Sequence, residues 1–151
     1  MVPAEVSVVV GFVVAVLLAW APLLSIERLR ALFAWPTRSV GVNYLLVGSA
    51  VVVGQCVSYL GVILLVAGTG SVTGGDAAGI VGGVVGANLL VPGAAAVASL
   101  RLLPSRGYWS PDGEGFGGRF ALGLGVVWYA VVTSVGFVVV ALGVMVAALP
   151  T

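Results

Sequence analysis

Long apolar runs alternate along this chain with short segments where charge, glycine and proline gather. Four runs stand out, Val6 to Leu24, Val40 to Ala67, Ile80 to Leu103 and Phe120 to Leu149. Each approximates or exceeds the roughly 20 helical residues needed to cross a hydrocarbon core ~30 Å thick. None holds an acidic residue, and their one arginine, Arg101, stands near the end of the third. A helix satisfies its own backbone hydrogen bonds in lipid, which an open strand cannot do, and a barrel would show alternating segments of about 10 residues instead. The pattern therefore predicts an all-α integral membrane protein: a single membrane domain over 1–151 built as a four-transmembrane-helix bundle, with helices at 6–24, 40–67, 80–103 and 120–149. Ala19-Trp20-Ala21 has the form of a signal-peptidase site, but Glu5 stands where a basic n-region belongs and Pro22 follows, so the first run is read as a retained helix.

Composition narrows the function classes. Six arginines, no lysine and five acids amount to 7% charged residues, against ~25% in soluble chains. With 61% hydrophobic residues, a water-soluble surface cannot be built. A net charge of +1 excludes a basic nucleic-acid interface, and the lone Cys56 excludes a disulfide scaffold.

The arginines also set an expected orientation. Arg28, Arg30 and Arg38 lie between the first two helices, and Arg101, Arg106 and Arg119 lie at or between the ends of the last two. The positive-inside rule then makes loops 25–39 and 104–119 cytoplasmic and loop 68–79 external, with both termini outside a plasma membrane or virion envelope. Guanidinium groups pair with lipid phosphate, so these six are assigned to the headgroup layer. Ser25 to Trp35 places Ile26, Leu29, Leu32 and Phe33 at helical spacing, which fits a short amphipathic piece at that interface ended by Pro36. Tyr108 and Trp109 suit the same layer. Asp76 is placed to cap the third helix and complement its dipole.

Candidate chemistry is sparse. Gly113 to Gly118 is glycine-rich, but it lacks the Gly-Lys-Ser/Thr and the strand that a phosphate cradle needs. Asp112 and Glu114 are read as solvated loop acids. With no histidine and one cysteine, neither a metal site nor a cofactor is expected, and no nucleophile and base pair can be named, so the chain is expected not to be an enzyme.

Inside the membrane the informative residues are small or uncharged polar ones. Gly75, Gly79, Gly83 and Ala87 repeat every four residues, Gly82 and Gly86 add another such pair, and Ala50, Gly54 and Ser58 do the same on the second helix. Such stripes let backbones approach, within one bundle or between subunits. Tyr44, Gln55 and Tyr59 share a helical face, with Tyr129, Thr133 and Ser134 as available partners for the glutamine. Pro92 lacks an N–H and would free the carbonyl of Asn88. Asn88, Gln55, Tyr59 and Pro92 are thus the candidate ligand or pore residues. At an offset of 75, Gly48 matches Gly123 and Gly61 matches Gly136, a pattern of two hairpins in parallel pseudo-repeat that composition bias largely explains.

Two expectations follow. The first is a non-catalytic accessory or structural component of a membrane or envelope assembly, whose partners are the bilayer and other membrane helices. The second is a small oligomeric channel or transporter with a polar path near Gln55, Tyr59 and Asn88. Ion-coupled carriers place ionisable groups in the membrane, and these spans hold no acid, which favours the first.

Overall fold

The structure, a computed structural model, describes residues 4–70, 73–111 and 117–147, without the side chains of 4, 5, 144 and 147. Its elements are α1 (Ala4–Trp20), a 3-10 turn (Ala21–Ser25), α2 (Glu27–Leu32), α3 (Val40–Ala67), α4 (Gly74–Ser105) and α5 (Gly118–Ala147), and no strand occurs among the described residues. Four segments are long and apolar enough to cross a membrane: Val6–Ser25, Val40–Ala67, Gly74–Ser105 and Gly118–Gly143. The chain has the helical content and span number of an all-α four-helix membrane protein.

Local chemistry explains where each helix starts and stops. Pro22 cannot donate to the preceding turn, and α1 tightens into the 3-10 segment at that point. Of the amphipathic piece expected over Ser25 to Trp35, only Glu27–Leu32 is helical, as α2, with Leu29 inward and Glu27 and Arg30 exposed. The Phe33 N–H closes α2 on the Arg30 carbonyl at 3.0 Å, three residues before Pro36. The third span begins at Gly74 rather than at Ile80, because a capping box holds its first turn. Thr73 is the N-cap; its hydroxyl accepts from the Asp76 N–H at 3.4 Å, while Asp76 accepts from the Thr73 N–H at 2.9 Å and hydroxyl at 2.6 Å. From there α4 runs helical through Pro92 and Pro104 to Ser105.

The four long helices pack as a ring in which α3 and α5 each touch both α1 and α4. The core forms three tiers. Tyr59, Ile80 and Val84 fill the end nearest the α3–α4 turn; Val16, Val52 and Tyr129 fill the middle; Leu29, Trp109, Ala121 and Leu122 fill the Arg-bearing end. Polarity is inverted relative to a water-soluble protein: Asn43, Gln55, Asn88 and Thr133 are all at 0% exposure, whereas Leu65 is 88% exposed. Lipid is as apolar as leucine, so burying leucine gains little there, while an amide gains a partner by turning inward.

Glycines enter this packing unequally. A Cβ on Gly83 would lie 2.5 Å from Val62 Cγ1, and one on Gly79 would lie 3.0 Å from Val66 Cγ1, so these two glycines seat α4 on two valines of α3. Gly82, Gly86 and Gly54 have nothing within 4 Å of a built Cβ, and Gly75 meets only Thr73 Oγ1 of its own cap. Ser58 donates to the Gly54 carbonyl of its own helix at 3.0 Å. The glycines of the half-to-half pattern also differ in role: Gly48 abuts Leu17 where Gly123 meets nothing, and Gly136 abuts Phe12 where Gly61 meets nothing.

Candidate functional site

Two features occupy the interior between α3 and α4: a hydrogen-bonded polar chain at mid-depth and a cavity on the Arg-bearing side of it. In the polar chain the Tyr59 hydroxyl donates to Asn88 Oδ1, and Asn88 Nδ2 donates to Ser134 Oγ at 2.8 Å, which ties α3, α4 and α5 together. Phe12 and Phe137 wall it with edge-on contacts to the Tyr59 ring at 6.3 and 5.2 Å. Asn88 and Tyr59, two of the candidate ligand or pore residues, are bonded to each other and, through Asn88, to Ser134. The pairing expected for Gln55 does not form. Its amide oxygen and nitrogen are buried without a hydrogen-bond partner, and so is the Tyr129 hydroxyl. Of the other two expected partners, Ser134 is taken by Asn88 and Thr133 turns its hydroxyl back onto the Tyr129 carbonyl at 2.8 Å.

Below the polar chain, α3 and α4 part. Side chains of α3 from Tyr44 to Val52 and of α4 from Pro92 to Leu103 line a cavity of about 400 Å³. Val16 and Leu17 of α1 and Leu122, Val126 and Tyr129 of α5 close its back. Val47, Ala95, Ala98 and Leu102 belong to its lining and are exposed, so it opens sideways between α3 and α4. Small residues of α4 leave the space: Ala95, Ala98 and Ser99 all belong to its lining. Pro92, picked out from the sequence for its missing N–H, is buried at the inner end of this cavity.

Aromatic side chains line the Arg-bearing end of the cavity. Trp20 stacks on Tyr44 at 5.9 Å, Phe33 meets Tyr44 edge-on at 5.3 Å, and Trp35 stacks on Tyr108 at 4.6 Å. The Tyr44 hydroxyl donates to the Leu17 carbonyl. Trp109 is buried against Leu29 and donates its indole N–H to the Arg28 carbonyl at 3.2 Å. The two arginine-bearing loops are thereby clasped to each other.

Asn43 is the organising residue that sequence reasoning missed. Its amide nitrogen donates to the carbonyls of Phe33 and Thr37 at 2.8 and 2.9 Å, and its oxygen accepts from the Thr37 N–H and hydroxyl at 3.1 and 2.7 Å. That set holds the turn carrying Trp35, Pro36 and Arg38. The available signal was a lone amide one turn into an apolar run, just after the polar stretch Thr37 to Ser39.

The six arginines gather at one end of the ring, on α2, at the starts of α3 and α5, and at the end of α4. Among the described residues no three His, Cys, Asp or Glu side chains come together to hold a metal. Asp112, Gly113, Glu114 and Gly115 lie outside the described residues.

No curated protein and no solved structure matches this chain. A family model does match, over residues 1–151, and its description is "Domain of unknown function (DUF8162)". The chain, a membrane protein of four apolar helices, belongs to that family.

Proposed function

We propose that this protein is a non-catalytic, multi-pass component of a membrane assembly, joined to other membrane helices through the small-residue faces that its own fold leaves open. The observation that carries this reading is the division of labour among the glycines of α4. Gly79 and Gly83 are occupied by Val66 and Val62, whereas Gly82 and Gly86 face outward with nothing within 4 Å of a built Cβ. Gly54 on α3 is open in the same way. Close backbone approach is a main source of helix association in lipid, and an outward glycine pair at a four-residue interval supplies it. The setting is a plasma membrane or virion envelope, with the arginine-bearing end cytoplasmic by the positive-inside rule.

The test is purification in mild detergent from the native source, with the mass of the particle and the identity of its chains determined. The wild-type chain is expected in a stable homo- or hetero-oligomer, and Gly82→Leu with Gly86→Leu is expected to release the monomer without loss of helix content. A wild-type chain that is monomeric under these conditions overturns the reading.

A second reading, a small oligomeric channel or transporter, is favoured by one observation: both polar atoms of the Gln55 amide are buried and unpartnered. Buried unpaired amides are costly, so one held in a span marks a place for water or a permeant group. Ion or solute flux into liposomes that falls with Gln55→Leu supports it, and absence of flux from wild-type proteoliposomes rejects it.

A further inference from the structure

We propose that the cavity between α3 and α4 is a binding site for one acyl chain of a phospholipid drawn from the leaflet on the arginine-bearing side. This goes beyond assembly through Gly82 and Gly86, since those residues do not line the cavity.

The dimensions select a chain from one leaflet. The lining stretch of α4, Pro92 to Leu103, rises about 16 Å at the helical pitch. Half of a ~30 Å hydrocarbon core is about 15 Å. The cavity starts at the Trp35–Tyr108 stack, an aromatic pair of the kind that sits at the membrane interface, and ends at Pro92, Val52 and Tyr129 near mid-bilayer. Its volume of about 400 Å³ lies in the range of sites that enclose small ligands. Its opening faces sideways between two membrane-spanning helices, so a hydrocarbon chain enters from the bilayer without crossing water.

The charge at the mouth selects the headgroup. Arg38 follows two residues after Pro36 and Arg106 stands two before Tyr108, both of which are in the lining, while Arg101 lines an adjoining groove of α4 that shares Ala98 and Leu102 with the cavity. All three arginines are exposed and form no ion pair among the described residues. Guanidinium groups bind phosphate through paired hydrogen bonds, so an apolar shaft beside three exposed guanidinium groups matches a phosphate-bearing lipid, and an anionic one best. Asn43 supports this by fixing the turn that presents Trp35 and Arg38.

The experiment measures phospholipid retained by the full chain. Protein purified in mild detergent is analysed by native mass spectrometry, then delipidated and titrated with phosphatidylglycerol or phosphatidylcholine. Wild type is expected to retain phospholipid, and Ala95→Phe and Ala98→Phe, which fill the shaft from its open side, are each expected to retain at least tenfold less at unchanged helix content. Replacing Arg38, Arg101 and Arg106 together by Gln is expected to reduce phosphatidylglycerol retention several-fold and phosphatidylcholine retention less. Without any substitution, phosphatidylglycerol bearing a photoreactive group at mid-chain is expected to label Val47, Ala95 or Leu102. Labelling that spares these residues while marking the outward Leu65 overturns the site. Undiminished retention by both filled variants does the same, and a neutral lipophile in place of phospholipid overturns the choice of ligand.

Discussion

Val62 occupies the space that any side chain at Gly83 would need: a Cβ built on the glycine falls 2.5 Å from Val62 Cγ1. Val66 stands in the same relation to Gly79, at 3.0 Å, one turn away. Valine is stiff at χ1, so neither methyl can swing aside without rotating the whole side chain. Toward the α3–α4 turn, the fit of the two helices at these positions is therefore set by shape.

Gly83→Ala is expected to destabilise the bundle by about 1–3 kcal/mol, the usual cost of overpacking. Val62→Ala in the same chain is expected to recover most of that loss. Gly82→Ala, which meets nothing, is expected to leave monomer stability within about 0.5 kcal/mol. Unfolding in mixed detergent and denaturant, followed by helix content, measures all three, and equal losses at Gly82 and Gly83 would contradict the assignment of faces.

Asn88→Leu removes the partner of both the Tyr59 hydroxyl and Ser134. A buried group left unpaired costs about 1–3 kcal/mol, and that is the expected loss. Tyr59→Phe combined with Asn88→Leu is expected to cost less than the sum of the two single changes, because the stranded hydroxyl goes with its partner. A strictly additive double-mutant cycle would show that the hydrogen bond contributes nothing.

Trp109→Ala is expected to release α2 from the bundle, with the loss of about 3–5 kcal/mol typical of a large buried aromatic. Hydrogen exchange over residues 26–39 is the measurement, and the expected signature is faster exchange there while the α3–α4 seam near Tyr59 stays protected. Trp109→Phe keeps the ring and loses the bond to Arg28, and it is expected to fall between wild type and Trp109→Ala.

Thr73→Ala removes half of the capping box and is expected to cost about 1 kcal/mol, confined to the start of α4. Exchange at the first turn, Gly74 to Ala77, reads this directly, and an effect reaching Asn88 would mean that the cap supports more than its own turn.

How much of this was legible in the sequence depends on which force wrote each feature. Backbone satisfaction in lipid demands long helices, so the four spans are plain from the apolar runs, and Asp76 is identifiable at the start of α4 from its position alone. The inward faces are not, because lipid-facing and core-facing positions are equally apolar. Leu65 at 88% exposure and Val52 at 1% belong to one mainly apolar run. Small residues carry the same ambiguity: Gly79 and Gly82 lie three positions apart, yet one is filled by a valine and the other open. Trp109 reads as an interface residue because indole is amphipathic, and only the approach of α2 shows that it is buried. Asn88 and Tyr59 announce themselves as polar groups needing partners, but which partner each finds is set by helix rotation. The cavity has no sequence signature, since it depends on small residues of α4, Ala95, Ala98 and Ser99, coming to lie beside α3.

The clasp between Trp109 and Arg28 gives the two connecting loops a mechanical part. Toward the α3–α4 turn the two helices are held by the glycine–valine seam and by Tyr59 on Asn88; beyond Pro92 they diverge around the cavity. Across the diverging half the ties run through α2, Trp109 and the Trp35–Tyr108 stack, all of which belong to connections between spans. The molecule is hooped like a cask, by side-chain packing at one rim and by its loops at the other. Loosening the second hoop would widen the space between the staves while leaving every contact of the first intact.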